Sequence, residues 1–288
     1  MKEHLIIQSD FDNLPLDTII MAPNHPKGII QFAHGMCEHK ERYFHFIEYL
    51  CQNGYVCIIH DHRGHGKSIY HEDDLGFFYE NGHKGIVEDL PLYLFGHSMG
   101  SLVVRCYLKQ YDQDIDGLFV CGSPSRNPAA KMGILLARTI SKLKHNHHRS
   151  ALIQKIGFGA FNKKFGTTPN SWICSDVEIV NAYNKNPLCR FTFTTNGFES
   201  LFHLMEETYS PEKWQINHQN IPIHFIAGED DPCIQNEKKF KEAVNFIKQC
   251  GYTNVTSYLF KGMRHEILNE KDNQKVYQHV IDTLKAWE

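Results

Sequence analysis

The chain has 288 residues, 42% hydrophobic and 22% charged, which suits one globular domain with an insertion. Its formal net charge of -3 argues against a general nucleic-acid binder, which would carry a basic balance. Nine cysteines without a CxxC pair read as free thiols in a reducing compartment.

In chain order, "HLIIQ" and "DTIIMA" read as two opening strands with a turn at Asn13-Leu14-Pro15. The N-terminus shows no apolar stretch of signal-peptide length, and no run approaches the roughly 20 residues that span a bilayer. A cytoplasmic protein is expected, with peripheral membrane contact left open. "GIIQFAHG" is a buried strand ending at Gly35. "ERYFHFIEYLCQNG" has helical spacing at Tyr43, Phe46, Ile47 and Leu50, with Gly54 as its stop. "YVCIIHD" and "LPLYLFGHS" are the next strands, "MGSLVVRCYLKQY" is a helix, and "DIDGLFVCGSP" is again a strand.

The block 123–220 breaks this alternation and is mostly helical, in "GILLARTISKLKH", "DVEIVNAYNKN" and "FTTNGFESLFHLMEETY". The alternation then returns with strand "IPIHFIAGEDD", helix "NEKKFKEAVNFIKQCG", strand "NVTSYLF" and helix "KVYQHVIDTLKAW". Strand–helix alternation implies an α/β fold, a mostly parallel twisted sheet with helices on both faces. The expected organisation is a core of 1–122 and 221–288 with a helical cap inserted at 123–220.

"YLFGHSMGSLVV" carries the chemistry. Gly96-His97-Ser98-Met99-Gly100 fits G-x-S-x-G between a strand and a helix, the context a nucleophile elbow requires. A sharp strand-to-helix turn forces small residues two before and two after the serine. It also lifts the serine hydroxyl to a helix N-terminus, where developing negative charge is favoured. A serine needs a base, and the base an orienting acid. In this architecture the order is Ser, Asp, His, each just past a strand. "GEDDP" supplies Asp231 before a proline that biases it to an extended conformation, with Asp230 as the alternative. "GMRHEILNE" supplies His265. Two N–H donors must face the oxyanion. Met99 follows the nucleophile, and Met36 lies in the loop "FAHGMCEH" after the third strand. His34 in that loop reads as structural.

The matching segments are "HGMCEHKERY" (34–43), "DHRGHGKS" (61–68), "GHSMGS" (96–101), "GEDDP" (228–232) and "GMRHEILNE" (262–270). Through them the chain resembles the monoacylglycerol lipase and lysophospholipase group of the α/β-hydrolases, also called serine aminopeptidase-like hydrolases. The resemblance implies an α/β-hydrolase fold, ester hydrolysis on a mono-acyl lipid, and a helical cap over the site. By position it gives Ser98, Asp231 and His265 the triad roles and Met36 and Met99 the oxyanion roles. No cofactor and no metal are implied, and the partner is a small lipid ester. The alternatives are a carboxylesterase or peptidase for small substrates, and a non-catalytic α/β-hydrolase that binds a ligand or partner. Acyl length, head group and oligomeric state stay open.

Two local features stand apart. His60-Asp61-His62-Arg63-Gly64-His65 nearly spells the HxHxDH pattern of binuclear zinc hydrolases, but Gly64 stands where an aspartate is needed. The resemblance implies a loop beside the active site, without a metal, and His65 between two glycines reads as a packed, hydrogen-bonded loop residue. The nine residues from Gly82 to Leu90 form a short crossover, about 13 Å at a helical 1.5 Å per residue. A longer helix and loop is expected in relatives, so either the crossover before Pro91 is contracted or the sequence lacks a segment.

Overall fold

The structure, a computed structural model, describes residues 1–78 and 93–288. The Gly82–Leu90 crossover and the Leu90-Pro91 junction lie outside the described residues. Among those described, eight strands form one sheet: β1 Lys2–Gln8, β2 Pro15–Met21, β3 Gly28–Ala33, β4 Tyr55–His60, β5 Tyr93–His97, β6 Leu118–Cys121, β7 Ile223–Gly228 and β8 Val255–Phe260. Their order is β1-β2-β4-β3-β5-β6-β7-β8. The pairs β1–β2 and β2–β4 are antiparallel, and every pair from β4 to β8 is parallel.

The helices are α1 Phe44–Gln52, α2 Met99–Tyr111, α3 Ala130–Lys144, α4 Ala151–Phe158, α5 Val177–Lys185, α6 Thr195–Tyr209, α7 Glu237–Cys250 and α8 Asn273–Trp287. Alternate strand residues feed two cores, as the period-2 geometry of a strand demands. Leu94, Leu118, Val120, Ile223 and Phe225 pack with α2, α6 and α7 on one face. Phe95, Phe119, Cys121 and Ile226 pack with α1 and α8 on the other. Strands buried on both faces carry no polar face: β6 and β7 are buried at every residue, whereas edge strand β1 is exposed at all but one position.

Helix α7 shows how the local sequence sets its element. The Asn236 side chain accepts from Lys239 N–H at the N-terminus. Phe240, Ala243, Val244 and Ile247 make the buried stripe, and Gly251 at φ 124° ends the helix.

The chain inserts α3 to α6 between β6 and β7. Helix α4 is not signalled in the sequence: it is eight residues long and buries only Ile153, so its periodic pattern is too weak to read. Ser150 caps it by accepting from Ile153 N–H. Helix α6 belongs to the main core as much as to the insertion, since Phe198, Leu201, Leu204 and Tyr209 share a cluster with α2. All nine cysteines are free. No helix of the described residues is long and apolar enough to cross a membrane.

After β3 the chain runs to β4 on one side, then returns to β5 on the other side of β3. The C-terminal ends of β3 and β5 therefore border the switch point, where ligand crevices form in open α/β sheets.

Candidate active site

Ser98 sits at that switch point, directly after β5 and as the N-cap of α2. Its backbone is forced to φ 53° and ψ -116°, a region that L-residues seldom occupy. The flanking glycines make the bend possible. A Cβ on Gly96 would lie 2.6 Å from Val104 Cγ2 and would overlap Gly100 O; one on Gly100 would overlap Ala33 O and lie 2.7 Å from His34 O. The bend is pinned by Ser98 N–H donating to Cys121 O at 2.9 Å.

His265 and Asp231 come from the loops after β8 and β7. Both are buried, and His265 Nδ1 lies 2.9 Å from Asp231 Oδ2. The other Asp231 oxygen accepts the Cys233 N–H at 2.8 Å, which fixes the carboxylate's angle. Asp230 points away and pairs with Lys164 of the insertion. Geometry thus separates two neighbours that spacing leaves equivalent. Ser98 and His265 line the same cavity, yet Ser98 Oγ makes no hydrogen bond among the described residues. Hydrogen bonds of this kind often close only around a substrate.

Met99 is the first residue of α2 and Met36 lies in the loop after β3. Both line the cavity, and among the described residues neither backbone N–H has an acceptor. Gly35 abuts the serine: a Cβ there would stand 3.1 Å from Ser98 Cβ. The cavity has a volume of about 570 Å³, within the range of sites that enclose a small molecule. Phe158, Phe161, Trp172, Leu201, Phe202 and Met205 of the insertion make much of its wall apolar.

Sequence reasoning assigned no role to the polar network beneath this loop. One oxygen of Glu38 accepts Gly35 N–H at 2.5 Å, Tyr43 O–H at 2.8 Å and His97 Nδ1–H at 3.1 Å. His97 Nε2 faces the backbone carbonyl of His265 at 3.2 Å. Burial lowers the His97 pKa, but the hydrogen bond and charge of Glu38 outweigh it and the net shift is upward. An imidazolium satisfies both acceptors at once. For Glu38, burial pushes the pKa up, and the His97 hydrogen bond, His97 charge and Arg42 charge more than reverse this. Arg42 also grips Glu266, beside His265, through two bonds of 2.5 and 2.6 Å. The signal was present as charged residues spaced at 38 and 42 inside "HGMCEHKERY", but it does not say which distant groups they meet.

The histidine-rich loop is packed rather than open. His34 Nδ1 donates to Gly35 O at 2.8 Å and its Nε2 accepts His62 N–H at 2.9 Å. His65 lies 3.1 Å from Arg63 O and 3.3 Å from Cys37 N, against Phe78, Phe191 and Phe193. Burial pushes His60 down to about 4 and His65 down to about 3, so both are neutral. Among the described residues, His60 Nε2 and both ring nitrogens of His62 are buried without a hydrogen-bond partner. These histidines do not converge with a third ligand atom among the described residues. Asp61 serves the loop itself, accepting from Lys40 N–H, Lys40 Nζ and Lys67 N–H at 2.7–3.0 Å.

The chain is 28% identical to a thermostable carboxyl esterase of Bacillus coagulans, with a TM-score of 0.82 over 99% of this chain and 98% of that one. It is 23% identical to a monoacylglycerol lipase of Mycolicibacterium smegmatis over 91% of this chain and 88% of that protein. It is 25% identical to a monoglyceride lipase homolog of Monkeypox virus over 91% and 90%. Residues 24–272 match the family described as serine aminopeptidase, S33. With a strained serine at the switch point of a mostly parallel sheet, the chain belongs to that family of α/β-hydrolases.

Proposed function

We propose that the protein is a serine esterase that cleaves mono-acyl lipid esters, such as a monoacylglycerol or lysophospholipid, through an acyl-enzyme. The observation that carries this reading is that Ser98 and His265, the latter held by the buried Asp231, line one cavity with a partly apolar wall. In the proposed reaction His265 Nε2 takes the Ser98 proton as Oγ attacks the ester carbonyl. Asp231 holds the tautomer with the proton on Nδ1 and stabilises the imidazolium. Met36 and Met99 N–H groups receive the oxyanion, and the strain at Ser98 keeps the hydroxyl presented between them. The alcohol leaves with the proton from His265; water then repeats the attack and frees the acid. The names of the relatives support a mono-acyl substrate.

In this reading residues 123–220 form the cap. The cap's outer surface supports contact with a lipid interface. Met132, Leu135 and Leu143 of α3 and Leu152 and Ile156 of α4 are exposed, beside Lys131, Lys142, Lys144 and Lys155. Helix α4 also lines the cavity through Ala151, Gln154, Lys155 and Phe158, so the exposed apolar face borders the substrate's path. The free cysteines support a reducing, cytoplasmic setting.

The test is a panel of monoacylglycerols, lysophospholipids and nitrophenyl esters of rising chain length, with wild type and Ser98→Ala. Turnover should rise with acyl length and fall by at least about 10³-fold in the variant. A preference for acetyl esters moves the assignment to a small-ester carboxylesterase; full activity in Ser98→Ala ends the serine mechanism.

A further inference from the structure

His265 uses its two ring nitrogens unequally. Nδ1 is engaged by Asp231 at 2.9 Å, so Nε2 faces the cavity, 3.9 Å from the Cys233 thiol. Among the described residues, Asp231, Cys233 and His265 are the group whose ligand atoms gather within 4.8 Å, and all three are buried. Imidazole nitrogen and thiolate are the donors that soft divalent ions favour. A carboxylate bound to the far nitrogen is the partner that commonly orients a metal-ligating histidine. A tetrahedral zinc ion with bonds of about 2.3 Å to sulfur and 2.0–2.1 Å to nitrogen needs these atoms roughly 3.6 Å apart. The observed 3.9 Å therefore asks for a small side-chain shift, and a larger ion such as cadmium for less. The cavity leaves room for water at the remaining positions.

We propose that Cys233 Sγ and His265 Nε2 form an inhibitory site for a soft divalent cation of the zinc–cadmium class. The effect on turnover rests on the reading of His265 as the general base; binding itself does not. On binding, the Cys233 S–H bond breaks, its proton passes to solvent, and sulfur donates to the ion. The Nε2 lone pair is donated to the same ion, and nothing is oxidised or reduced. The lone pair that would accept the Ser98 proton is then committed, with the substrate's cavity still present. The near-HxHxDH loop at 60–65, which looks like a metal site in sequence, is not where these ligands meet.

Two readouts separate the parts of this proposal. Cobalt(II) titration, followed by thiolate-to-cobalt charge-transfer absorbance, reports binding without catalysis. Wild type and Ser98→Ala should each show a saturable band. Cys233→Ser should lose it, and His265→Gln, which keeps the thiol, should bind at least about tenfold more weakly. Ester turnover with added zinc chloride reports the consequence. Wild type should lose at least about tenfold and recover with EDTA, while Cys233→Ser changes less than about twofold relative to its own zinc-free rate. A wild-type band or zinc sensitivity that survives in Cys233→Ser overturns the site, as does a wild type that shows neither. A Cys233-dependent band in a protein that cleaves no ester leaves the metal site standing and removes the esterase reading. Ester turnover with no metal effect does the opposite.

Discussion

Replacing Glu38 with alanine removes one carboxylate oxygen that three buried donors share. Gly35 N–H would be left without this acceptor, at about 1–3 kcal/mol, while Tyr43 O–H can turn to His97 Nδ1, 3.0 Å away. His97 can discharge and Arg42 keeps Glu266, so neither leaves an uncompensated charge. The expected loss is about 1–3 kcal/mol in urea denaturation at pH 6. Glu38→Gln keeps an acceptor oxygen and should lose about 1–2 kcal/mol. The pH dependence follows from the two shifts. The Glu38 pKa is depressed below its ordinary 4.5, so its contribution is present above that value and fades as pH falls toward the folded pKa. The His97 pKa is raised above 6.5, so its contribution is present below that value and fades as pH rises through the folded pKa. The gap between wild type and Glu38→Gln should therefore be widest between pH 4.5 and 6.5. Because Glu38 anchors the loop that presents Met36 N–H, kcat should fall at least about tenfold in Glu38→Ala. If Glu38→Ala unfolds at the wild-type urea concentration and turns over at the wild-type rate, the network is decorative and the reasoning fails.

Asp231→Asn should lower kcat by up to about 10⁴-fold through the wrong imidazole tautomer, while Asp230→Asn, which releases only Lys164, stays within about twofold; equal losses in steady-state kinetics would reject the assignment. The buried neutral histidines predict loss of stability in mild acid. The pKa values of His60 and His65 fall from 6.5 to about 4 and about 3 on folding, so the unfolded chain binds more protons below pH 6.5. Each then costs about 2 kcal/mol between pH 6.5 and 5, and a flat denaturation midpoint over that interval rejects it. Glu270 accepts Arg264 N–H at 2.9 Å and Ser175 N–H at 3.0 Å, tying the His265 loop to the insertion. Glu270→Ala should therefore reduce kcat about tenfold with KM within about twofold. An unchanged kcat would show that the loop is held without it.

The resolved histidine loop shows where residue type misleads. Three histidines in six residues suggest ligands, yet folding turns the His65 ring onto backbone groups and packs the His60 and His62 rings against neighbouring histidines. Periodicity was legible wherever an element buries a stripe, as in α7, and failed for α4, whose eight residues bury one side chain. The choice of the proposed acid was ambiguous for a related reason. Asp230 and Asp231 differ by one position, and what separates them is a loop 34 residues further on that brings His265 to one of the two.

By itself the sequence determined the strand–helix alternation, the serine between two obligatory glycines, and the chain order of the proposed acid and base. Each of these follows from contacts between residues near one another along the chain, which patterning and steric size record directly. Only the tertiary structure decided that Glu38, His97, Arg42 and Glu266 form one network under the loop after β3, and that Cys233 meets Nε2 of His265. Those partners lie on separate loops at the carboxyl ends of different strands. Their meeting depends on the order of strands in the sheet, which no local spacing encodes.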